Sequence, residues 1–380
     1  MKVVLAIDSF KGSMSSRVAG EAAALGIRDA YPDAEVIVCP VADGGEGTTE
    51  AIVCGAGGSY HTVRVSDPLG RPVEAVYGLL PSGIAVMEMS MAAGITLVSE
   101  DERSVMDSDT YGVGEMIVDA LDNGARSFII GIGGSATNDA GVGMLRALGC
   151  RFLDGEGKDV ARGARSLGSI SCVDVSGMDK RLKESSFVVA SDVKNPLTGP
   201  LGATRIYGPQ KGVKPDEIDV LDGCIHNFAS LTKEIIPTAD EDMPGGGAAG
   251  GLGFALVNYL GAELRPGVDI VTEAAKLAEH MRGADLVITG EGRIDAQSAM
   301  GKLPGGVARI AKEHGAIVVA LAGSVADGAE ALRDSGIDAA LPILRSPMSL
   351  GDAMNVDNAT GNMRIAAREL AFLLKATGLE

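Results

Sequence analysis

The 380-residue sequence predicts an α/β fold: a Rossmann-like, doubly wound parallel sheet formed by both termini, with a second α/β domain inserted into it. Three observations predict this fold. Short apolar strand runs alternate with helical runs at both ends of the chain, the middle has turn-bounded strand runs instead, and several strand runs end in Gly-rich loops that carry an acid. We expect residues 1–58 and 284–380 to form the first domain and residues 59–283 the inserted one.

The first 55 residues follow the order strand, helix, strand, helix. Val3–Ile7 predicts a buried strand that ends at Asp8, and Ser15 or Ser16 can cap the helix that follows. Ala34–Val41 predicts the next strand. A strand–helix–strand unit of this length favours parallel pairing with a right-handed crossover.

The last hundred residues repeat this alternation. The predicted strands are Asp285–Thr289, Ala316–Ala322 and Ala339–Leu344, and the predicted helices are Gly301–Glu313 and residues 357–374. Strands from both ends of the chain are therefore expected to share one sheet.

The middle of the chain has a different pattern. Thr62–Val65, Val73–Leu79 and Ile84–Met89 are short apolar runs separated by Pro- and Gly-containing turns, which predicts antiparallel strands. Ser127–Ile132 and Phe187–Ala190 are two further predicted strands. These strands are expected to form the inserted domain.

Composition limits the classes of partner and compartment. A net charge of −18 argues against a nucleic-acid or anionic-membrane partner, because both need a basic face. The five Cys residues are scattered without a CxxC pair, which indicates reduced thiols and a cytoplasmic location. The N-terminal apolar run is too short for a signal peptide, and no apolar run approaches the roughly 18 residues of a membrane span. We expect a cytoplasmic protein with small-molecule partners.

Four segments share one form, in which an apolar strand is followed by Gly, small hydroxyl residues and a carboxylate. They are residues 8–12, 43–48, 131–139 and 289–295. The carboxyl ends of parallel strands lie along one edge of a sheet, where ligands bind, so these loops predict a ligand site. Lys11 and Arg293 lie in two of them and can clamp a carboxylate or phosphate, although either one alone is more often a surface charge.

Two Gly-rich loops are candidates for holding phosphates. In the first, the amides of Gly133, Gly134 and Ser135 follow a strand and precede a predicted helix, where backbone amides can bind an anion. The second is the Gly245–Gly247 stretch of a longer Gly run. A tight turn without a ligand is the alternative for the first loop, and a hinge or close helix packing is the alternative for the second. No GxxxxGK[ST] motif occurs, which disfavours a P-loop fold.

Phosphoryl transfer needs a carboxylate that accepts the hydroxyl proton or holds Mg²⁺, together with a cation for the transferred charge. Asp192 and Asp43 are the candidate bases, and Asp192 and Asp295 are the candidate Mg²⁺ ligands. Lys211 also lies in a turn, where a solvated side chain is the default expectation. The four His residues lack the spacing of metal ligands.

The ordered motifs resemble one known family. They are Asp8–Ser13, Ala42–Thr48, Gly131–Gly141, Ser191–Leu197, Tyr207–Gly212 and Thr289–Asp295. Together they resemble the glycerate kinase type 1 family, over residues 1 to about 374. The resemblance implies phosphoryl transfer from ATP to D-glycerate, mainly giving 2-phosphoglycerate, on a Rossmann-like domain split across the termini.

The resulting hypothesis places D-glycerate in a cleft between the two domains. Arg293 or Lys11 would hold its carboxylate, and the Gly-rich loops would hold the phosphates of ATP with Mg²⁺. Two other classes stay open: a nicotinamide-dependent dehydrogenase that uses residues 131–134 as a dinucleotide loop, and a binding protein without turnover. The residues leave open whether the 2- or the 3-hydroxyl reacts, and what the oligomeric state is.

Overall fold

The computed structural model describes residues 1–295 and 303–378. Its strands in these ranges, labelled β1 to β13 in chain order, are Lys2–Ile7, Glu35–Val38, Ser59–Ser66, Pro72–Leu79, Ile84–Glu88, Ser127–Gly131, Arg151–Leu153, Cys172–Asp174, Ser186–Ala190, Glu263–Arg265, Leu286–Ile294, Ile317–Val325 and Ala339–Pro342.

The α-helices in the same ranges are labelled α1 to α13. They are Ser16–Ala30, Thr48–Ala56, Ser90–Ala93, Tyr111–Asp122, Val142–Ala147, Ala203–Tyr207, Ile218–Ile235, Ala248–Leu260, Gly267–Ala274, Leu277–Met281, Leu303–Glu313, Leu350–Met354 and Val356–Ala376. Short 3₁₀ helices cover Ile95–Leu97, Glu100–Glu102, Ala164–Ser169, Lys180–Glu184, Pro209–Lys211 and Ala329–Arg333. In the part of the chain that the structure describes, no helix is both long and apolar enough to cross a membrane.

The chain divides into two compact units. The terminal unit contains Met1–Asp43, Glu50–Gly57 and, as far as it is described, Val268–Glu380. The central unit contains Gly44–Thr49 and Gly58–Gly267. Residues 268–283 thus belong with the terminal unit and residues 44–49 with the central one, while the domain boundaries at 58/59 and 283/284 stay a prediction.

The terminal unit is built on a five-stranded sheet in the order β13-β12-β11-β1-β2. Every neighbouring pair in it is parallel. The predicted α/β class, with one parallel sheet drawn from both termini, is confirmed. The second predicted strand is shorter than expected, Glu35–Val38, and the predicted start of the 301–313 helix lies partly outside the described residues.

Helix α1 begins where the sequence predicts. Ser15 caps it, because its side chain accepts a hydrogen bond from the Val18 amide at 3.3 Å. The helix then packs closely on α13: a Cβ added at Gly26 would collide with the backbone oxygen of Arg364. Helix α13 therefore lies directly against α1.

The central unit is built on a six-stranded sheet in the order β10-β9-β6-β5-β4-β3. β3, β4 and β5 pair antiparallel, as the turn signals predict, whereas β5, β6, β9 and β10 pair in parallel. Phe128 and Phe187 are register partners on β6 and β9, and their rings stack at 4.7 Å between centroids. The carboxyl ends of β6 and β9 consequently lie side by side, and the loops that follow them start from one edge.

Candidate active site

A cavity of about 460 Å³ lies at the carboxyl edge of the five-stranded sheet. It is formed by residues that follow β1, β2 and β13, by the ends of β11 and β12, and by residues of α12 and α13. The lining residues are Asp8, Ser9, Phe10, Lys11, Ser13, Asp43, Glu291, Gly292, Arg293, Gly323, Ser324, Ile343, Leu344, Leu350, Ala353, Met354 and Ala359. All of them belong to the terminal unit.

The strand order explains why the cavity is there. From β1 the chain passes to β2 on one side, whereas β11, β12 and β13 follow one another on the other side. Because parallel crossovers are right-handed, the connecting helices change faces between β1 and β11, and a crevice opens at their carboxyl ends. Asp8 stands at this point, and its amide donates to the Gly290 carbonyl at 2.8 Å.

Asp8 is the buried carboxylate of the cavity, with 6% of the residue exposed. The Ser9 amide donates to its Oδ1 at 2.7 Å. Burial, followed by the nearby negative charge of Asp43, raises the pKa of Asp8 to about 7, although Lys11 acts in the opposite direction. A carboxylate with such a pKa exchanges a proton near neutral pH, which suits a general base.

Two cationic side chains reach the same cavity and stay largely exposed. Lys11 Nζ lies 3.9 Å from Asp43 Oδ2, and 66% of the Lys11 side chain is exposed. Arg293 Nε lies 4.0 Å from Asp295 Oδ2, with 71% of the Arg293 side chain exposed. Both contacts are long for ion pairs in water and therefore weak, so either cation can turn to an anionic ligand. The structure thus brings Lys11, Asp43 and Arg293 together, as predicted from the loops.

The loop at residues 43–48 divides between the two units after Asp43. In the central unit, Glu88 accepts hydrogen bonds from the Thr49 amide at 2.8 Å and the Gly47 amide at 3.3 Å. Burial raises the pKa of Glu88. The Gly-rich part of this loop is therefore held by a buried acid of β5, which the sequence analysis did not single out.

The loop at residues 131–139 follows β6, as predicted. The next helix, α5, begins only at Val142, so Gly133, Gly134 and Ser135 lie well before its first turn. These three amides therefore do not belong to a helix N-terminus, and a phosphate bound by them would not gain from the helix dipole. Gly134 has a φ of 73°, a conformation that Gly adopts without strain.

Buried hydrogen bonds fix the end of this loop. Asp139 accepts from the Thr110 amide at 2.9 Å, the Thr110 hydroxyl at 2.8 Å and the Gly143 amide at 2.9 Å. Burial raises the pKa of Asp139. The loop is consequently a pre-formed structure of the central unit, held by its own carboxylate.

Lys211 corrects one expectation. Its turn predicted a solvated side chain, but only 3% of the residue is exposed. Lys211 Nζ donates to Ser135 Oγ at 2.6 Å and to the Thr137 carbonyl at 2.8 Å. The tertiary fold places the turn beneath the loop at residues 131–139, a contact between segments 76 positions apart that local pattern cannot reveal.

The second Gly-rich candidate has tightly packed backbone. The Gly246 amide donates to the Met243 carbonyl at 3.1 Å, and the Gly247 amide donates to the Asn195 carbonyl at 3.0 Å. A Cβ at Gly247 would collide with the Pro196 carbonyl oxygen. These contacts favour the close-packing alternative for this stretch, and phosphate binding by Gly245–Gly247 stays a prediction.

Asp192 follows β9 in the central unit and is exposed. Next to it, Asn195 is used structurally, since its amide donates to the Leu201 carbonyl at 2.8 Å and its Oδ1 accepts from the Tyr207 hydroxyl at 2.8 Å. These hydrogen bonds hold the turn at Asn195, and Asp192 lies in the same turn, at the carboxyl end of β9.

The candidate Mg²⁺ ligands are carboxylates, but the described residues contain no group of side chains that could hold a metal ion by themselves. Among residues 1–295 and 303–378, no three or more His, Cys, Asp or Glu side chains are grouped to hold a metal ion. Mg²⁺ usually takes only one or two carboxylates together with substrate phosphates, so single acids such as Asp192 and Asp295 fit that use.

A parallel α/β unit that gathers a buried carboxylate and two cations at the switch point of its sheet is typical of an enzyme that converts a small anionic molecule. The family model described as "Glycerate kinase family" matches residues 3–375. The chain belongs to the glycerate kinase family.

Similar proteins that carry a glycerate kinase name match nearly the whole of this chain. A Bacillus subtilis glycerate kinase is 45% identical over 376 residues, covering 99% of this chain and 98% of the relative. An Escherichia coli glycerate 2-kinase is 44% identical over 375 residues, covering 98% of both. A crystal structure of a Salmonella typhimurium LT2 protein matches with a TM-score of 0.89 at 44% identity, covering 100% of each chain, which confirms the fold.

Proposed function

We propose that this chain transfers the γ-phosphoryl group of ATP to D-glycerate in the cytoplasm, forming mainly 2-phosphoglycerate. Membership of the glycerate kinase family and full-length similarity to an E. coli glycerate 2-kinase support the reaction. They favour it over a dehydrogenase or a binding protein. The observation that carries the proposal is the buried Asp8 carboxylate, set in one cavity with Lys11 and Arg293.

Lys11 and Arg293 would hold the carboxylate of D-glycerate. Their side chains are exposed and make only long contacts with acids, so a substrate carboxylate can replace those contacts with shorter ones. Holding the acid group fixes the position of the adjacent hydroxyl. Such positioning is the main way in which phosphoryl-transfer enzymes act.

Asp8 would accept the proton of the attacking hydroxyl. The substrate oxygen forms a bond to the γ-phosphorus, the bond from that phosphorus to the bridging oxygen of ADP breaks, and the proton passes to an Asp8 carboxylate oxygen. A pKa of about 7 makes Asp8 a better base than an exposed acid and still leaves much of it ionised at neutral pH. Asp43, which lines the same cavity, and Asp192 are the other proposed bases.

The phosphates of ATP would lie on the Gly133–Ser135 amides, with the Gly245–Gly247 stretch as the other proposed cradle. Asp192 and Asp295 are the proposed Mg²⁺ ligands, because their carboxylate oxygens suit this cation. Mg²⁺ bound with ATP supplies positive charge that offsets the charge developing on the transferred group.

The test is an ADP-coupled assay with ATP, Mg²⁺ and D-glycerate, followed by phosphorus NMR of the product. We compare the wild type with Asp8→Asn, Asp43→Asn and Asp192→Asn, and use Asp33→Asn, an exposed acid after α1, as the matched control. Asp8→Asn is expected to lower kcat by about 10²- to 10⁴-fold, the range for loss of a general base. Near wild-type turnover in Asp8→Asn would assign the proton transfer elsewhere, and absence of ADP formation by the wild type would refute the proposed reaction.

A further inference from the structure

Lys211 is buried in the central unit without a close acid. Only 3% of the residue is exposed, and its Nζ atom donates to a hydroxyl and a backbone carbonyl rather than to a carboxylate. Burying an ammonium group without an ion pair is unfavourable, and a fold that tolerates it commonly uses the group at a functional site. What the ammonium contacts therefore indicates what it does.

Among the described residues, both hydrogen bonds that Lys211 Nζ donates go to the loop that follows β6. One acceptor is Ser135 Oγ at 2.6 Å, and the other is the Thr137 carbonyl at 2.8 Å. An ammonium group has donors and no acceptor, so Ser135 Oγ must be the acceptor in this pair. The single hydroxyl proton of Ser135 is then directed away from Lys211.

The Ser135 hydroxyl proton has no acceptor within the described part of the chain. Ser135 Oγ takes part in one hydrogen bond there, the one from Lys211. Ser135 is buried, with 8% of the residue exposed, and it directly follows the exposed Gly134. In the same loop the buried hydroxyl of Thr137 also lacks a partner among the described residues. A donor hydroxyl beside the Gly133 and Gly134 amides is suited to an oxyanion.

We propose that Lys211 is a positioning residue: it orients the Ser135 hydroxyl as a hydrogen-bond donor to a phosphoryl oxygen of the nucleotide. This inference rests on the proposed phosphate site at Gly133–Ser135. Burial lowers the pKa of Lys211 to about 7, with the charge of Asp139 acting in the opposite direction. The protonated form is the one that enforces the donor orientation of Ser135.

The orientation has a simple consequence for coupling between the two residues. If Lys211 acts through Ser135, removing either one disables the same contact with the phosphate. The effects of the two single changes on nucleotide affinity should then not add in the double variant. If Lys211 only supports the turn at residues 207–212, its removal affects stability, and its effect on affinity is independent of Ser135.

The experiment is a double-mutant cycle of Lys211→Met, Ser135→Ala and both together. Titration calorimetry measures ATP binding with Mg²⁺ and without D-glycerate, and inorganic tripolyphosphate serves as a probe of the phosphate contacts alone. Lys214→Met, an exposed lysine three positions along the chain, is the matched control. We expect each single variant to weaken ATP binding about tenfold, as for loss of a hydrogen bond to a charged group, and the double variant to be no weaker than either single one.

Steady-state kinetics provides the second readout. The KM for ATP should rise in both single variants while the KM for D-glycerate stays within about twofold of the wild type, a split that a general loss of structure does not give. Additive effects on ATP affinity, or a Ser135→Ala variant that binds ATP as the wild type does, would overturn the proposal. Should Lys211→Met not fold, wild-type ATP binding by Ser135→Ala still overturns the proposal, because Lys211 then has no phosphate contact to orient.

The calorimetric arm separates this inference from the proposed reaction. It contains no D-glycerate, so a wild type that binds ATP but phosphorylates another acceptor still tests Lys211. A wild type that binds neither ATP nor tripolyphosphate overturns the positioning role, because no phosphate contact then exists for Ser135 to make.

Discussion

Asp43→Asn should shift the acidic limb of the pH profile of kcat/KM to lower pH. The negative charge of Asp43 is the second cause, after burial, of the raised pKa of Asp8. Replacing Asp43 with the neutral amide removes that repulsion, so Asp8 loses its proton more easily. The substitution changes the pKa of Asp8 without changing Asp8 itself.

The size of the shift follows from the position of Asp43. Burial remains after the substitution and keeps the pKa of Asp8 above 3.8, while removal of a partly exposed charge lowers it by about one pH unit. With a pKa of about 7, the ionised fraction of Asp8 at pH 6 is about a tenth, and with a pKa near 6 it is about half. Relative to its own plateau at pH 8, the variant is therefore about five times more active at pH 6 than the wild type.

Lys11→Met provides the opposite perturbation. Lys11 lowers the pKa of Asp8, so its removal should move the acidic limb to higher pH. The assay is ADP release at limiting D-glycerate between pH 5 and 9, because kcat/KM reports the ionisation of the free enzyme. Titration of ATP itself contributes equally to every variant and cancels in the comparison, and Asp33→Asn should follow the wild-type profile.

The two shifts together decide the assignment. Unchanged limbs in both variants would refute the view that Asp8 controls the reaction, whatever the loss in absolute rate. Shifts of the same sign would refute the electrostatic reasoning, since the two side chains carry opposite charges.

Three further predictions concern stability and are measured by chemical or thermal unfolding. The pKa of Asp8 is about 7 in the folded protein and 3.8 for an ordinary carboxyl, so the free energy of unfolding falls as the pH rises between these two values. Asp8→Asn removes this loss. The substitution should therefore raise the free energy of unfolding by up to about 4 kcal/mol at pH 8 and by less at pH 5. Ser15→Ala should cost about 1 kcal/mol, because the Val18 amide loses its cap, and Ser15→Asp should restore most of it. Gly26→Ala should destabilise the protein by about 1–3 kcal/mol, because its Cβ would clash with the backbone of Arg364, although alanine otherwise favours helices. A neutral or stabilising result would contradict the close packing of α1 on α13.

Much of the fold was predictable because its signals are local. The apolar run before Asp8, the serine cap and the alternation near both termini each depend on neighbouring residues, and the α/β class that they predict is confirmed. The predicted strand ends were less accurate. Strand β11 continues to Ile294, beyond the predicted Thr289, because it pairs with β12 as far as Val325. Pairing partners distant in the chain set such limits, and the sequence pattern does not contain them.

The candidate cavity was predicted in part, again from local signals. Lys11, Asp43 and Arg293 were found because Gly-rich loops follow strands, and the structure places all three on one cavity. Asp8 was visible in its motif, but its burial and raised pKa depend on the packing of β1 beside β11. The burial of Lys211 was not predicted, because its partner Ser135 lies 76 residues away.

Asp8 and Lys211 show the same physical conflict in the two units. Asp8 directly follows β1, Lys211 is buried against the loop that follows β6, and burial moves the pKa of each to about 7. An apolar side chain at either position would avoid the unfavourable burial of a charge, so stability alone does not explain them. In the proposed reaction Asp8 accepts a hydroxyl proton, and in the proposed positioning role Lys211 turns a serine hydroxyl toward an oxyanion. The two proposals therefore assign the lost stability to two functions, activation of the acceptor by Asp8 and binding of the donor through Lys211. The pH profile tests the first and the double-mutant cycle tests the second.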